Sequence, residues 1–177
     1  MADLSEYSIT SDDIFSLKED PGNTLIIGGG YIAVECAGFL NGLGKEVTMV
    51  NRSSFLRVMD DDMTFRIVDD LRASGVKAIE RTVVKSAKKV GDKLFEVELQ
   101  SGEKKNTITV NTILVAIGRD ADPKSMGVHN AGVVLAPSNK VQGRKDEPER
   151  TNVDNIYAIG DVLEGVPELM PVAQRAG

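Results

Sequence analysis

The stretch TLIIGGGYIAVECAGFL, residues 24–40, decides the fold. Residues 24–27 form a short apolar run that stops at three glycines, as a buried parallel strand does. Residues 31–43 stay apolar over a helix length, and Gly44 is placed to end that helix. Residues 46–50 then supply a second strand. Between strand and helix stands Gly28-Gly29-Gly30-Tyr31-Ile32-Ala33. This is a G-x-G-x-x-A string in the strand–turn–helix context that a dinucleotide site requires. Gly28 permits a tight turn, Gly30 lets the backbone approach a pyrophosphate, and the small Ala33 allows close helix–strand packing. The helix N-terminus offers unpaired N–H groups and the positive end of its dipole to phosphates. The competing reading is a glycine-rich turn without a ligand.

The pattern continues outward. Asp60, Asp61 and Asp62 precede a helical period in Met63, Ile67, Val68 and Leu71, closed by Gly75. Residues 76–79 make a third parallel strand. From about 83 to 115 there are alternating β-type runs, at 94–99, 107–110 and 112–115, punctuated by Gly91-Asp92 and Ser101-Gly102. These predict an antiparallel β-meander set into a Rossmann-like unit. The fold class is therefore α/β: a three-layer ββα NAD(P)-binding domain with a parallel sheet and an antiparallel meander. Residues 1–22 read as a linker with one short helix, where Thr10 and Asp13 resemble a capping box ahead of Ile14 and Phe15. Residues 119–150 are loop-rich, with 140–150 a charged, solvated excursion. Residues 156–159 are a last short strand.

Composition narrows the function classes. The 177 residues are 41% apolar and 27% charged, the balance of a globular domain. A net charge of -6 argues against general nucleic-acid binding, so an anionic ligand must be held by local donors and cations. No apolar run reaches the roughly 18 to 20 residues of a membrane span. The first residues, MADLSEYSIT, show neither a secretory signal nor an arginine-rich transit peptide. The expectation is a cytoplasmic protein, with a mitochondrial location left open. The single cysteine, Cys36, rules out a dithiol pair within these residues and sits in an apolar helical pattern, as a small core residue does. His129 lies in a polar segment and is given no role.

Three further features concern the ligand. The end of the second strand reads Val50-Asn51-Arg52, without the acid that accepts from a ribose 2′-OH in NAD sites. Arg52 and Arg57 would instead pair with a 2′-phosphate, which favours NADPH. Two ordinary surface arginines are the alternative. Tyr31 and Glu35 share a helix face, beside a nicotinamide or simply in solvent. Ile117, Gly118 and Arg119 follow an apolar strand at the end where α/β sheets bind ligands. Gly160 and Asp161 close the last strand, where an acid suits a sugar hydroxyl or merely caps a turn.

Together these residues resemble the flavoprotein disulfide reductases with two dinucleotide-binding domains, the family of glutathione reductase and thioredoxin reductase. The strings are TSDDIFSL at 10–17, GGGYIAVECAGFL at 28–40, LRVMDDDM at 56–63, VAIGRDA at 115–121, TNVDNIYAIGDVLE at 151–164 and ELMPVAQRAG at 168–177. TSDDIFSL, Arg52 and VAIGRDA look most like large, animal-type thioredoxin reductases. The resemblance implies that 1–22 is a linker from an FAD domain, 23–150 an NADPH-binding domain, and 151–177 a strip returning to the FAD domain. It implies that residues 28–33, including Ile32, hold the pyrophosphate, that Tyr31 covers the nicotinamide pocket, and that Glu35 pairs with a flavin-domain lysine. Ile117, Gly118 and Arg119 would line the NADPH cleft. Asp161, Leu169 and Met170 would touch FAD, with Met170 standing where the family has Thr. Leu163, Val166, Leu169, Met170 and Val172 would then lack cover in this chain.

The family's FAD fingerprint, its C-x-x-x-x-C and its dimerisation domain have no counterpart in these residues. The expectation is a piece of a longer homodimeric enzyme that passes electrons from NADPH through FAD and a cysteine pair to thioredoxin, inactive by itself. Glutathione reductase or a related flavoprotein is the alternative enzyme. A non-catalytic nucleotide-binding module is the alternative outside catalysis.

Overall fold

The computed structural model describes residues 4–177. Two compact units result, one reaching to Gly118 and one running Arg119–Gly177.

The first unit contains β1 (Ser8–Ile9), β2 (Thr24–Ile27), α1 (Tyr31–Gly42), β3 (Val47–Val50), α2 (Asp61–Ala73), β4 (Lys77–Ile79), β5 (Val83–Gly91), β6 (Leu94–Ser101), β7 (Lys104–Val110) and β8 (Thr112–Val115). A five-stranded parallel sheet has the order β1-β8-β2-β3-β4, and β5-β6-β7 form a separate antiparallel sheet. The central strands are buried on both faces, and their side chains alternate between two cores. Ile26, Met49 and Leu114 pack against Ala33, Cys36, Ala37 and Leu40 of α1 and Val68 of α2. Leu25, Ile27, Val50 and Ile113 pack instead with Val84, Val97, Leu99 and Val110 of the meander. Helices, parallel sheet and meander are thus the three layers of the expected ββα fold.

Both helices end as their glycines foretell. After α1, Gly44 at φ 77 donates to the Asn41 carbonyl and Lys45 donates to that of Leu40. After α2, Gly75 at φ 110 donates to the Arg72 carbonyl and Val76 donates to that of Leu71. Each pair of bonds is a Schellman motif, which satisfies carbonyls that the helix leaves open. Asp60 caps α2, its carboxylate accepting from the Met63 amide at 3.0 Å.

Two elements of this unit depart from the expectation. Residues 112–115 do not extend the meander. They run parallel between β1 and β2, because Ile113 and Leu114 are wholly buried on opposite faces and only a central strand offers two covered faces. The linker carries a strand, since Ser8–Ile9 add a parallel edge to β8. The capping box at Thr10 is half formed: the Asp13 carboxylate accepts from the Thr10 amide at 2.8 Å, ahead of the 3₁₀ turn Ile14–Ser16.

The second unit is built of short bridges around Val133, Val141, Ala158 and Leu163, with α3 (Met170–Ala176) at its end. Residues 156–159 are not a strand; Tyr157 makes one isolated bridge to Arg150. Residues 140–150 are only partly a solvated excursion. Val141 belongs to the core and bridges both Leu135 and Leu163. Arg144 and Arg150 converge on Asp154, with Arg144 also donating to the Thr151 carbonyl at 2.8 Å. Leu163 is 1% exposed, so its expected lack of cover is corrected: local bridges bury it.

Candidate functional site

The site grows from the order of the strands. From β2 the chain winds outward to β3 and β4, whereas β8 returns on the other side of β2. Parallel sheets bind ligands at such a reversal, outside the carboxyl ends of the strands. The loops after β2 and β8 meet there, and the three glycines differ in what surrounds them. Gly28 has φ 143, and a Cβ on it would stand 2.1 Å from the Ala116 carbonyl oxygen. Its amide donates to the Val50 carbonyl at 3.0 Å. A Cβ on Gly29 would stand 2.1 Å from the Asn51 side-chain nitrogen. Gly30 has ordinary extended backbone, with φ -81 and ψ 178, and nothing lies within 4 Å of its Cβ direction. The first two glycines serve the protein's own packing, while the third borders open space.

Gly30 is the N-cap of α1. That helix has no side-chain cap and no acid in its first turn, whereas α2 has Asp60 as cap and Asp61 and Asp62 behind it. The first amides of α1 are therefore left to an outside acceptor. Tyr31 is 57% exposed, Ile32 is half-buried, and Ala33 is buried against the sheet. Glu35 is exposed one turn beyond Tyr31. Across the reversal point, Ile117 is 58% exposed and Gly118, at φ 138, is exposed too. An open backbone cradle, an uncapped helix start and an aromatic ring at its edge fit the diphosphate and one ring of a dinucleotide.

The loop after β3 carries Arg52 and Arg57. Both are exposed, and neither has an ion pair or hydrogen bond through its side chain among the described residues. Their loop is anchored by Phe55 and Leu56, which are buried between them. The Leu56 amide donates to the Gly29 carbonyl at 2.7 Å, and the Phe55 amide donates to the Glu80 carboxylate at 3.3 Å. The Asn51 amide group donates to the Ser54 carbonyl at 2.7 Å. The arginine loop is thus tied to the glycine loop. Sequence reasoning missed Asn51, Phe55, Leu56 and Glu80 as the ties. An asparagine three residues before Ser54 is a turn signal, but nothing local announces a bond from residue 55 to residue 80.

The remaining candidates lie in the second unit. Arg119 is exposed. Gly160 has φ 67, and a Cβ on it would stand 2.8 Å from the Ala173 Cβ, so glycine allows α3 to approach. Asp161 is exposed within the single 3₁₀ turn Gly160–Val162. Leu169 and Met170 are 58% and 66% exposed at the start of α3. Lys140 pairs with Glu168 at 2.5 Å. That bond holds its ammonium above the usual lysine range, and the charges of Asp161 and Glu164 add to the effect.

Cys36 is buried, and burial together with the neighbouring Glu35 charge raises its thiol above the usual range. Among the described residues no cluster of His, Cys, Asp and Glu could hold a metal ion, and no helix is long and apolar enough to cross a membrane.

Known proteins bear out this architecture. The family described as pyridine nucleotide-disulphide oxidoreductase matches residues 3–177. Among solved structures, the HOCl-induced flavoprotein disulfide reductase RclA from Escherichia coli is 30% identical, with a TM-score of 0.80 over 95% of this chain and 37% of that one. Its Cu(II) complex is 30% identical, with a TM-score of 0.78 over 94% and 36% of the two chains. The Cu(II) complex of a serine-for-cysteine variant is 29% identical, with a TM-score of 0.81 over 97% and 38%. The chain spans little more than a third of the length of these structures.

Proposed function

The chain belongs to the pyridine nucleotide-disulphide oxidoreductases, and on that premise we propose that it is the NADPH-binding part of a thioredoxin-disulfide reductase-like flavoenzyme. One observation carries the proposal: an open, uncapped glycine cradle at the β2/β8 reversal is tied by hydrogen bonds to a loop with two unpaired arginines. When bound, NADPH supplies a hydride that FAD relays as electrons to a cysteine pair. In this assignment Gly28 shapes the turn beneath the pyrophosphate, the backbone at Gly30 and the first amides of α1 hold it, and Ile32 and Ala33 seat the helix. Arg52 and Arg57 hold the 2′-phosphate. Tyr31, Glu35, Ile117, Gly118 and Arg119 border the nicotinamide end. Gly160, Asp161, Leu169 and Met170 face FAD in a strip, 151–177, that completes a flavin domain. The full-length enzyme works as a homodimer and reduces thioredoxin.

A second reading is favoured by the likeness to RclA, a flavoprotein disulfide reductase. Under it, the full-length protein reduces another disulfide with the same nucleotide site. Both readings share one test. Calorimetric titration of this chain with NADPH and NADH should show saturable binding of both and tighter binding of NADPH. Binding of neither would end both. Turnover of the full-length protein with thioredoxin, but not with glutathione disulfide, would separate the two.

A further inference from the structure

After β4 the chain turns through Glu80, Arg81 and Thr82 into β5, and all three residues meet the arginine loop. The Glu80 carboxylate accepts from the Phe55 amide, the Arg81 amide lies 3.5 Å from the Ser53 carbonyl, and the Thr82 amide donates to the Asn51 carbonyl at 2.9 Å. Arg81 is therefore bracketed against the loop beside Ser53, the residue that follows Arg52. Thr82 is buried beneath it, while Arg81 is exposed. The Arg81 side chain has no ion pair or hydrogen bond among the described residues. The adjacent Glu80 carboxylate is engaged by the Phe55 amide.

Arg81 shares an uncommon backbone conformation with Leu56, Lys93 and Asn139. Arg81 has φ 51, in the left-handed region where glycine rests without strain and other residues are uncommon. A turn selected for shape alone would carry glycine or asparagine there. Backbone strain retained at one residue points to a use for its side chain. Three guanidinium groups without side-chain partners among the described residues thus stand on two adjoining loops, in a chain of net charge -6.

We propose that Arg81 is a third cation of the anion site made by Arg52 and Arg57, and that it contributes to selection of a 2′-phosphorylated nucleotide. The proposal rests on the nucleotide reading above. It adds a residue from the loop that is hydrogen-bonded to theirs. Two forked donors on one loop and a third across from them can address separate phosphate oxygens.

The test compares the wild-type chain with Arg81→Gly, Arg81→Lys and the Arg52→Ala/Arg57→Ala double variant, titrated with NADPH and with NADH. Arg81→Gly should bind NADPH roughly three- to tenfold more weakly and NADH unchanged. Its Tm should match or exceed that of the wild type, because glycine relieves the left-handed backbone. Arg81→Lys should keep part of the NADPH preference, since it keeps charge without the fork. Unchanged NADPH affinity in Arg81→Gly, or equal losses for both nucleotides, would overturn the role of Arg81. If the double variant abolishes a preference that Arg81→Gly leaves intact, the nucleotide reading stands and this inference alone falls. A wild type without preference removes both.

Discussion

Gly28 and Ala116 touch so closely that a Cβ on the glycine would stand 2.1 Å from the alanine carbonyl oxygen. The contact joins the loops after β2 and β8, and it is made at φ 143, a conformation essentially restricted to glycine. Gly30, two residues on, has neither constraint. Gly28→Ala should therefore destabilise the chain by about 3–5 kcal/mol, from backbone strain plus a clash with a rigid carbonyl. Gly30→Ala should change stability by about 1 kcal/mol or less, since a poorer N-cap offsets a stiffer unfolded chain. It should nevertheless abolish nucleotide binding, because its methyl group fills the cradle. Denaturant melts and calorimetric titration of both variants check this. A Gly30→Ala chain that still binds NADPH would place the pyrophosphate elsewhere.

Cys36 is expected to be chemically inert in the native chain. It is buried among Ala33, Ala37 and Leu40, and desolvation raises its thiol above the usual range, with the Glu35 charge adding to it. Only the thiolate attacks a disulfide or an alkylating reagent. At neutral pH a thiol reagent should label native chain far more slowly than chain in denaturant. Fast native labelling would contradict the packing of α1. The same reasoning leaves this chain alone without disulfide reductase turnover, which an assay with NADPH, FAD and thioredoxin checks.

The parts of the fold that were legible in the sequence are those decided locally. Gly44 and Gly75 end helices through motifs whose bonds span three to five residues, and Asp60 caps over three. The string from Gly28 to Ala33 is read from its flanks. What escaped depends on distant partners. Residues 112–115 look like one more meander strand until β1 and β2 pair with both of their edges, and the helices and the meander cover their two faces. Val141 lies in a stretch that reads as a charged excursion, and Leu163 in a strip expected to need a flavin domain for cover, yet a bridge between them helps build the second unit's core. The same holds at the site. The candidates on the glycine loop were readable, but the ties from Leu56 to Gly29 and from Phe55 to Glu80 cross 27 and 25 residues of sequence.

The second unit should be sensitive to acid through Asp154. The Arg144 hydrogen bond, and then the charges of Arg144 and Arg150, hold its carboxyl below the usual range. A depressed folded-state pKa contributes stability above the unfolded value, about 3.9 for aspartate. That contribution is lost as pH falls through the folded value. The group is fully exposed, so the effect should be modest. Asp154→Asn should remove it, leaving the unit's stability less dependent on pH below about 4. Amide exchange of residues 144–158 in both chains against pH measures this. Parallel acid profiles in the two would show that the arginines do not act through Asp154.

Nucleotide choice is the sharpest test of the arginine loop. Arg52 and Arg57 are exposed and unpaired among the described residues, yet Phe55 and Leu56 fix the backbone between them. A fixed backbone reduces the ordering cost of binding, so a 2′-phosphate should gain most of each contact it makes. A charge-assisted hydrogen bond contributes about 1.5–3 kcal/mol, and exposure puts these at the lower end. One such bond gives roughly tenfold discrimination, since about 1.4 kcal/mol is a factor of ten. Arg52→Ala/Arg57→Ala should therefore bind NADPH about tenfold or more weakly and NADH nearly as before. The wild-type preference should also shrink as salt rises, because screening reaches exposed charges first. Equal losses for both nucleotides would mean that the arginines support the loop or the pyrophosphate. A preference insensitive to salt would mean that the selecting contacts are buried, and the exposed guanidinium groups would then be the wrong residues.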